Sequence, residues 1–242
     1  MRPLFSAFVL AKQANIDVDF IKPSDPFNYD LLIVPAVLLK GYLTSMQWKK
    51  FVEFVSDGGS VYCSYNGVAF PELEDLFGIY IVSQAFPLEV EDFHVKSEKT
   101  IINYHTTLGK VIDVDAPEDR VIARNKNNRP TVVKNHYNKG LTVFVTHPVE
   151  YYLSFMSGAA QTNKSYLFYK IAEGMIKNSI NYENQFVESK LLYKKHVKYL
   201  ILANLENKAS KFEVNVDFDY TIIEDLTADK EIRGCQLKSI MV

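Results

Sequence analysis

The chain contains a cysteine, a histidine and a glutamate, which are the side-chain types that a thiol-dependent hydrolase uses. Cys63 lies in the segment SVYCSY, and His147 and Glu150 lie much later in the segment FVTHPVEYYL. In thiol-dependent catalysis an imidazole activates the sulfur nucleophile, and a carboxylate orients the imidazole. Cys63, His147 and Glu150 therefore form the one candidate catalytic triad of the chain.

Buried strands are predicted directly before or around these residues. Residues 29–37 (YDLLIVPAV) and 60–65 are apolar runs typical of strands that are covered on both faces in a parallel sheet. Residues 140–148 form a third run of this kind, which ends at His147. Because the carboxyl ends of parallel strands meet at one edge of a sheet, Cys63 and His147 are expected to lie near the same edge.

Helices are predicted between and around these strands. Residues 2–14 and 163–180 have apolar residues at helical spacing, and Thr44 is a potential N-cap for a helix that ends at Gly58. Residues 16–21 (IDVDFI) alternate between apolar and polar residues and are predicted to form a strand. The core residues predicted for the central helix are Trp48, Phe51, Val52 and Val55.

The pattern changes near residue 183, where a period of two begins to dominate. Residues 211–220 (KFEVNVDFDY) place apolar side chains on one face and polar side chains on the other, as in an antiparallel strand with one wet face. The sequence therefore predicts an α/β domain over 1–182, with helices flanking a parallel sheet. A small antiparallel β-sandwich domain is predicted over 183–242.

Composition excludes several classes of partner. The net charge is −2, so the chain lacks the basic surface that nucleic-acid binding requires. No apolar run reaches the length of a membrane span, and the N-terminal run lacks the features of a secretory signal. Two distant cysteines, Cys63 and Cys235, predict no disulfide framework and favour a cytoplasmic location.

No cofactor or metal is predicted. The chain has no glycine-rich phosphate loop, because the glycines of DGGS follow a helix instead of preceding one. The remaining histidines lack the spacing of metal ligands and are expected to lie at the surface or in hydrogen bonds. These residues are His94, His105, His136 and His196.

A longer stretch resembles a known family. YDLLIVPAVLLKGYLTSMQWKKFVEFVSDGGSVYCSYNG, followed by LEDLFGIYI, is similar to the middle, trimerisation domain of bacterial barrel-type β-galactosidases. That domain itself resembles class I glutamine amidotransferases, and YNKGLTVFVTHP resembles one of its later strands. The alternating tail is similar to the small β domain that ends those enzymes. The resemblance implies a flavodoxin-like, amidotransferase-like sheet.

This resemblance implies a non-catalytic role. In the family the catalytic carboxylates belong to a barrel, which needs about 250 residues of its own and cannot fit in this chain. In the amidotransferase-like fold a first strand precedes the first helix, whereas here the helix begins almost at the first residue. Three interpretations follow from this difference. The chain is a segment of a longer enzyme, or its sheet is rebuilt without that strand, or a neighbouring polypeptide supplies the strand.

The candidate triad departs from the amidotransferase pattern. Val61 and Tyr65 occupy the positions where glycines would allow the sharp turn of a nucleophile elbow. Glu150 is one residue farther from His147 than in the His-Pro-Glu pattern of that family. The sequence therefore predicts no catalytic residue, and Cys63, His147 and Glu150 are interpreted as a degenerate relic.

Three functions follow from these observations. The first is a non-catalytic accessory and oligomerisation region of a glycoside hydrolase, in contact with further copies and with a catalytic barrel. Its predicted interface residues are Tyr151, Tyr152 and Phe155. The first alternative is a thiol hydrolase or amidotransferase acting through Cys63 and His147. The second alternative is a carbohydrate-binding module that uses exposed aromatic side chains.

Overall fold

The computed structural model describes most of the chain and divides it into two compact units. One unit comprises residues 1–11 and 18–176, and the other comprises residues 12–17 and 177–242. The residues described are 2–37, 43–85, 90–95, 100–105, 111–125, 127–158, 164–176, 180–206, 211–217, 222–225, 230–233 and 240–241.

The first unit is built on a mixed sheet, in which seven strands are present among the described residues. The strands are β1 (Leu31–Val34), β2 (Ser60–Ser64), β4 (Val90–Val95), β5 (Thr100–His105), β7 (Val121–Asn125), β8 (Pro130–Tyr137) and β9 (Gly140–Val145). Their order across the sheet is β1-β2-β9-β8-β7-β4-β5. A separate antiparallel pair is formed by β3 (Tyr80–Ala85) and β6 (Val111–Asp115).

Only one side of the mixed sheet is parallel. β1 pairs with β2 and β2 pairs with β9 in parallel registers, whereas the next contacts, from β9 through β8, β7 and β4 to β5, are antiparallel. Every residue of β2 is buried, as expected for a parallel strand with a neighbour on each side. The predicted α/β class is confirmed. The predicted parallel sheet is correct for these three strands, and the hairpin-linked strands after residue 90 make the rest antiparallel.

The helix α2 (Ser45–Ser56) forms as the sequence predicts. The side chain of Thr44 accepts a hydrogen bond from the Gln47 backbone N–H, and the Gln47 side chain accepts one from the Thr44 backbone N–H. This capping box satisfies amide groups that the first helical turn leaves unpaired. The four predicted core residues of α2 are all buried, and they pack in a cluster that includes Val61 and Cys63 of β2.

The other helices of the described chain are α1 (Arg2–Gln13), α3 (Leu73–Phe77), α4 (Val149–Leu153) and α5 (Tyr166–Glu173). The predicted helix over 163–180 is too long, because α5 ends at Glu173 and residues 174–176 do not continue it. Its buried residues are Leu167, Phe168, Tyr169 and Ala172. The helical spacing therefore continues past the point where the backbone helix stops.

The predicted strand over 16–21 is wrong. Residues 16–22 lie within the described chain and have no strand pairing. Alternation of apolar and polar residues makes a segment suitable for a sheet, but a strand also needs a neighbour that supplies its hydrogen bonds. Phe20 is 70% exposed, and its ring lies 6.0 Å from that of Phe8 in α1.

The second unit contains four antiparallel strand pairs among its described residues: β10 with β14, β11 with β12, β13 with β17, and β15 with β16. A small core of Tyr182, Val187 and Val214 holds the first two pairs together. The predicted alternation is present over 213–217, whereas Phe218, Tyr220 and Cys235 lie outside the described residues. The strands are β10 (Ile180–Tyr182), β11 (Val187–Lys194), β12 (Val197–Asn204), β13 (Lys211–Phe212), β14 (Val214–Val216), β15 (Ile222–Asp225), β16 (Lys230–Arg233) and β17 (Ile240–Met241).

Gly140, the first residue of β9, allows the backbone after α2 to pass close to the sheet. A Cβ atom at this position would lie 2.2 Å from the Val55 carbonyl oxygen and 2.3 Å from that of Gly59. We expect Gly140→Ala to lower the free energy of unfolding by about 2–3 kcal/mol, because backbone atoms must move. Urea unfolding measures this change.

Gly174→Ala is the matched control. At Gly174 a new Cβ would meet its nearest atom at 3.6 Å, so we expect less than about 0.5 kcal/mol of change. Equal destabilisation by the two substitutions would contradict the close approach at Gly140.

Candidate functional site

The sequence-predicted residues lie at the carboxyl ends of the three parallel strands. Ala36 follows β1, Ser64 ends β2, and His147 and Glu150 follow β9. In open α/β sheets this edge is where ligands bind. The side chains at this edge therefore decide whether the chain has a usable site.

Glu150 occupies the centre of this edge and is fully buried. Its Oε2 accepts a hydrogen bond from the Ala36 backbone N–H at 3.0 Å. Its Oε1 accepts hydrogen bonds from the Ser64 hydroxyl at 3.0 Å and from the Tyr169 hydroxyl at 2.8 Å. The carboxylate thus joins the ends of β1 and β2 to α4 and α5.

Two tyrosines complete a polar group that we call the Glu150 cluster: Tyr62, Ser64, Glu150 and Tyr169. The hydroxyls of Tyr62 and Ser64 are 3.2 Å apart, and the rings of Tyr62 and Tyr169 are 4.6 Å apart. All four residues are buried with no measurable exposure. In the described part of the chain, buried side chains of the protein itself therefore occupy this position at the carboxyl edge.

Burial controls the protonation of this cluster. It raises the pKa of the Glu150 carboxyl, and the hydrogen bonds from Ala36, Tyr169 and Ser64 offset part of that effect. Burial also raises the pKa of Tyr62 well above its ordinary value, and the nearby Glu150 charge adds to this. Burial therefore makes the charged forms of the Glu150 carboxyl and of the Tyr62 phenol less favourable than they are in water.

Cys63 faces away from the Glu150 cluster. Successive side chains of a strand point to opposite faces, so Tyr62 and Ser64 share one face of β2, and Cys63 lies on the other with the α2 core. Its Sγ lies 3.6 Å from the Ser64 carbonyl oxygen. Burial, and secondly the charge of Glu150, raise the pKa of this thiol far above the range of a reactive cysteine.

No strained elbow is present at Cys63. It pairs within β2 with Val34 on one side and Phe144 on the other, and it does not have the positive φ that five other non-glycine residues of the described chain adopt. The structure thus brings Glu150 and Ser64 together, and it holds Cys63 in a regular buried strand.

His147 is also buried, and its Nδ1 lies 2.8 Å from the Thr146 hydroxyl oxygen. Both carboxylate oxygens of Glu150 accept hydrogen bonds from the Ala36, Ser64 and Tyr169 groups. The carboxylate therefore has a structural role at these contacts, and the triad of Cys63, His147 and Glu150 remains a hypothesis without supporting geometry.

The predicted interface residues differ in exposure. Phe155 is 54% exposed, and its ring packs edge-on against that of Tyr151, with 5.1 Å between centroids. Tyr152 is buried, at 7% exposure, and is unsuited to a contact surface. Tyr151 lies in α4, directly after Glu150, and Phe155 lies just beyond the end of that helix.

Two negative findings concern the described part of the chain. Within it, no group of three or more His, Cys, Asp and Glu side chains is arranged to hold a metal ion. No helix described there has the length and apolar character needed to cross a membrane.

The partners of Glu150 were missed by the sequence analysis. Ser64 and Tyr62 were counted as part of a buried strand, and Tyr169 was not assigned to the core face of its helix. The signal available was a hydroxyl at each of these otherwise apolar positions, because a buried hydroxyl needs a hydrogen-bond partner. Nothing in the sequence identified that partner as Glu150.

The family known as the β-galactosidase trimerisation domain matches residues 5–164. The chain belongs to this family. The predicted resemblance to the middle domain of β-galactosidases is confirmed, and with it the interpretation of the chain as a non-catalytic accessory region. No curated protein sequence matches the chain.

Solved structures share the fold of this trimerisation-domain protein. Gan42B, a GH42 β-galactosidase from G. stearothermophilus, is 17% identical, with a TM-score of 0.65 over 99% of this chain and 34% of that chain. The β-galactosidase of Bacillus circulans sp. alkalophilus is 15% identical, with a TM-score of 0.61 over 99% and 35%. The α-L-fucosidase isoenzyme 2 of Paenibacillus thiaminolyticus is 12% identical, with a TM-score of 0.63 over 100% and 43%.

This chain is much shorter than the structures that it matches. The chain spans about a third of the length of the two β-galactosidases. The low identities show a shared fold and carry no information about substrate.

Charging of Glu150 makes the stability of the trimerisation domain depend on pH. A carboxyl whose pKa is raised on folding stabilises the protein fully below its ordinary pKa, and this contribution is lost as pH rises through the folded-state pKa. We expect Glu150→Gln, which keeps an acceptor for Ala36, to remove this loss. The urea midpoint of the wild type should therefore fall relative to that of the variant as pH rises from 5 to 8.

Glu53→Gln serves as the control for this measurement, because Glu53 is exposed on α2. Its midpoint should follow that of the wild type throughout the pH range. A wild-type midpoint that rises relative to Glu150→Gln with pH would contradict the cost of charging the buried carboxyl.

Cys63 is expected to resist alkylation in the folded protein. Its thiol is buried and its pKa is raised, so the thiolate that reacts with iodoacetamide is scarce. We expect no modification of Cys63 at pH 7.5 during an hour, and complete modification in 8 M urea, as measured by peptide mass spectrometry. Rapid modification of the folded protein would restore the thiol hydrolase hypothesis.

Proposed function

We propose that this protein helps to assemble a glycoside hydrolase, joining copies of that enzyme and supporting a catalytic barrel carried by the rest of the parent polypeptide. The observation that carries this proposal is the family match over residues 5–164. The filled carboxyl edge of the parallel strands supports it, because a scaffold needs no open crevice at that position.

The proposal includes a finer description of the fold. The three parallel strands with α2 on one face and α5 on the other favour a flavodoxin-like, amidotransferase-like origin for the region 1–182. The antiparallel strand pairs favour a small β-sandwich domain over 183–242. In this proposal the amidotransferase-like part keeps its sheet but has exchanged its chemistry for the Glu150 cluster.

The contact surface proposed between copies is centred on Tyr151 and Phe155. An exposed aromatic side chain that packs on a neighbouring ring is rigid, and burying it at an interface releases water at little cost in conformational entropy. Tyr152 contributes by packing inside its own chain, where it holds α4 in place. A role in carbohydrate metabolism follows from the parent enzyme, and the buried free Cys63 favours a cytoplasmic location.

Sedimentation equilibrium tests the assembly. We expect the wild-type chain to associate as a trimer, and Phe155→Glu to weaken this association. Burying a phenylalanine contributes about 1.5–3 kcal/mol per contact, so the trimer dissociation midpoint should move to at least tenfold higher protein concentration.

Met46→Glu is the matched control, because Met46 is also exposed, at 75%, but lies on α2. This variant should associate as the wild type does. A wild-type chain that stays monomeric at all concentrations would overturn the proposed function, and equal association of the two variants would remove Phe155 from the interface.

A further inference from the structure

Two buried hydroxyl groups of the first unit have no hydrogen-bond partner among the described residues. They are the phenolic oxygen of Tyr65 and Oγ1 of Thr131, and both residues are 1% exposed. Buried side-chain hydroxyls in native proteins are mostly paired, with protein groups, ordered water or a ligand. These two oxygens therefore require a partner that the described protein groups do not supply.

The sheet places these two residues in one row with Thr146. The Tyr65 backbone N–H donates to the Val145 carbonyl at 2.8 Å, which continues the parallel register of β2 and β9 and sets Tyr65 beside Thr146. The Thr146 backbone N–H donates to the Thr131 carbonyl at 3.0 Å, which continues the antiparallel register of β8 and β9. Neighbouring strands lie about 4.8 Å apart, so the three residues occupy adjacent positions across the carboxyl ends of β2 and β9.

The three side chains share the face of the sheet that carries α2. Residues two apart along a strand point to the same face, and Cys63, Val133 and Phe144 belong to the core cluster that contains the buried face of α2. Tyr65 is itself in that cluster, and its ring lies edge-on to that of Phe144. The sheet therefore separates this row from the Glu150 cluster on the opposite face.

Thr146 supplies a third hydroxyl in the middle of the row. Thr146 is 1% exposed, and its Oγ1 lies 2.8 Å from Nδ1 of the buried His147. The backbone N–H of Ile112 in β6 donates to the Thr146 carbonyl at 3.2 Å, so β6 lies against this end of the sheet. We call Tyr65, Thr131, Thr146 and His147 the hydroxyl row. It contains three hydroxyls and an imidazole, and no Lys, Arg, Asp or Glu.

We propose that the hydroxyl row is a binding site for one small, neutral, hydroxyl-bearing molecule, held between Tyr65 and Thr131. A hydroxyl both donates and accepts hydrogen bonds, so one guest of this kind satisfies both side chains. An ionic guest is disfavoured, because a buried charge needs a charged partner and the row has no Lys, Arg, Asp or Glu. The burial of the row limits the guest to a few non-hydrogen atoms, and both water and a small polyol such as glycerol have the required chemistry.

The stability of hydroxyl-deletion variants of the full chain tests whether a guest is present. Tyr65→Phe and Thr131→Val each remove one hydroxyl and nearly preserve the shape of the side chain. If a guest binds, each variant loses a hydrogen bond, and we expect Tm to fall by about 2–4 °C. Tyr80→Phe is the matched control, because Tyr80 is 68% exposed in β3 and its substitution should leave Tm unchanged.

The opposite sign would contradict the proposal. Removing a buried hydroxyl that has no partner is neutral or stabilising, because its desolvation is no longer uncompensated. A Tm in Tyr65→Phe or Thr131→Val that equals or exceeds that of the control would therefore overturn the site.

The double variant tests whether a single guest joins the two hydroxyls. Tyr65 and Thr131 lie two strands apart, roughly 10 Å between their Cα atoms, and their hydroxyls do not bond to one another. Substitutions at this separation add unless they share a partner. We expect the double variant to lose about as much Tm as the more damaging single variant. Additive losses would indicate separate guests and would overturn the shared site.

A glycerol titration identifies the source of the guest. The amide ¹H–¹⁵N shifts of Thr131 and Thr146 are recorded from 0 to 1 M glycerol in the wild type and in the double variant. A saturable shift in the wild type alone identifies a polyol guest. Equal, linear drift in both proteins, with a water-to-amide NOE at Thr131 that the double variant lacks, identifies bound water. Absence of both the saturable shift and this NOE would overturn the site.

Sodium glycerate tests the neutral class of the guest, because it replaces one hydroxymethyl group of glycerol with a carboxylate. It should cause no saturable shift at Thr131 or Thr146 in the wild type. A saturable response to glycerate would contradict a neutral guest. These measurements do not depend on self-association of the chain, so they decide this proposal separately from the proposed function.

Discussion

The buried carboxyl group of Glu150 organises the parallel half of this protein. Removing an ionised carboxyl from water is costly unless hydrogen bonds replace the lost hydration. Glu150 receives three such bonds, from the backbone after β1, from the end of β2 and from α5. All three donors must remain within hydrogen-bonding distance of the same carboxyl group. The ends of β1 and β2 and the helices α4 and α5 are therefore fixed relative to one another.

The same arrangement separates Cys63 from Glu150. Side-chain alternation along β2 directs Ser64 toward Glu150 and Cys63 toward α2, on opposite faces of the sheet. A thiol nucleophile would need to leave the strand in a tight turn, yet the backbone at Cys63 continues its pairing with β1 and β9. The carboxylate that could have oriented an imidazole instead satisfies hydroxyl and amide donors.

Local features of the fold were predictable, and features that depend on distant contacts were less so. The N-cap at Thr44, the buried face of α2 and the strand β2 follow from short-range patterns, and all three are present. The predicted strand at 16–21 failed because a period of two cannot supply a neighbour. The Glu150 cluster was missed because its bond to Ala36 joins residues 114 positions apart, and because the His-Pro-Val-Glu spacing pointed toward catalysis.

The position of Glu150 also links the interior of the protein to its proposed contact surface. α4 is only five residues long, and a helix of this length has little stability of its own. Glu150 anchors its first turn in the core, and the Ser154 and Phe155 amides continue the turn by bonding to the Tyr151 and Tyr152 carbonyls. The exposed Phe155 ring, with Tyr151 against it, therefore has a defined direction because a carboxylate five residues earlier is fully buried. The polar cluster in the core therefore positions a surface feature of the protein, because the first turn of α4 is fixed by Glu150 and the Phe155 ring follows from its end.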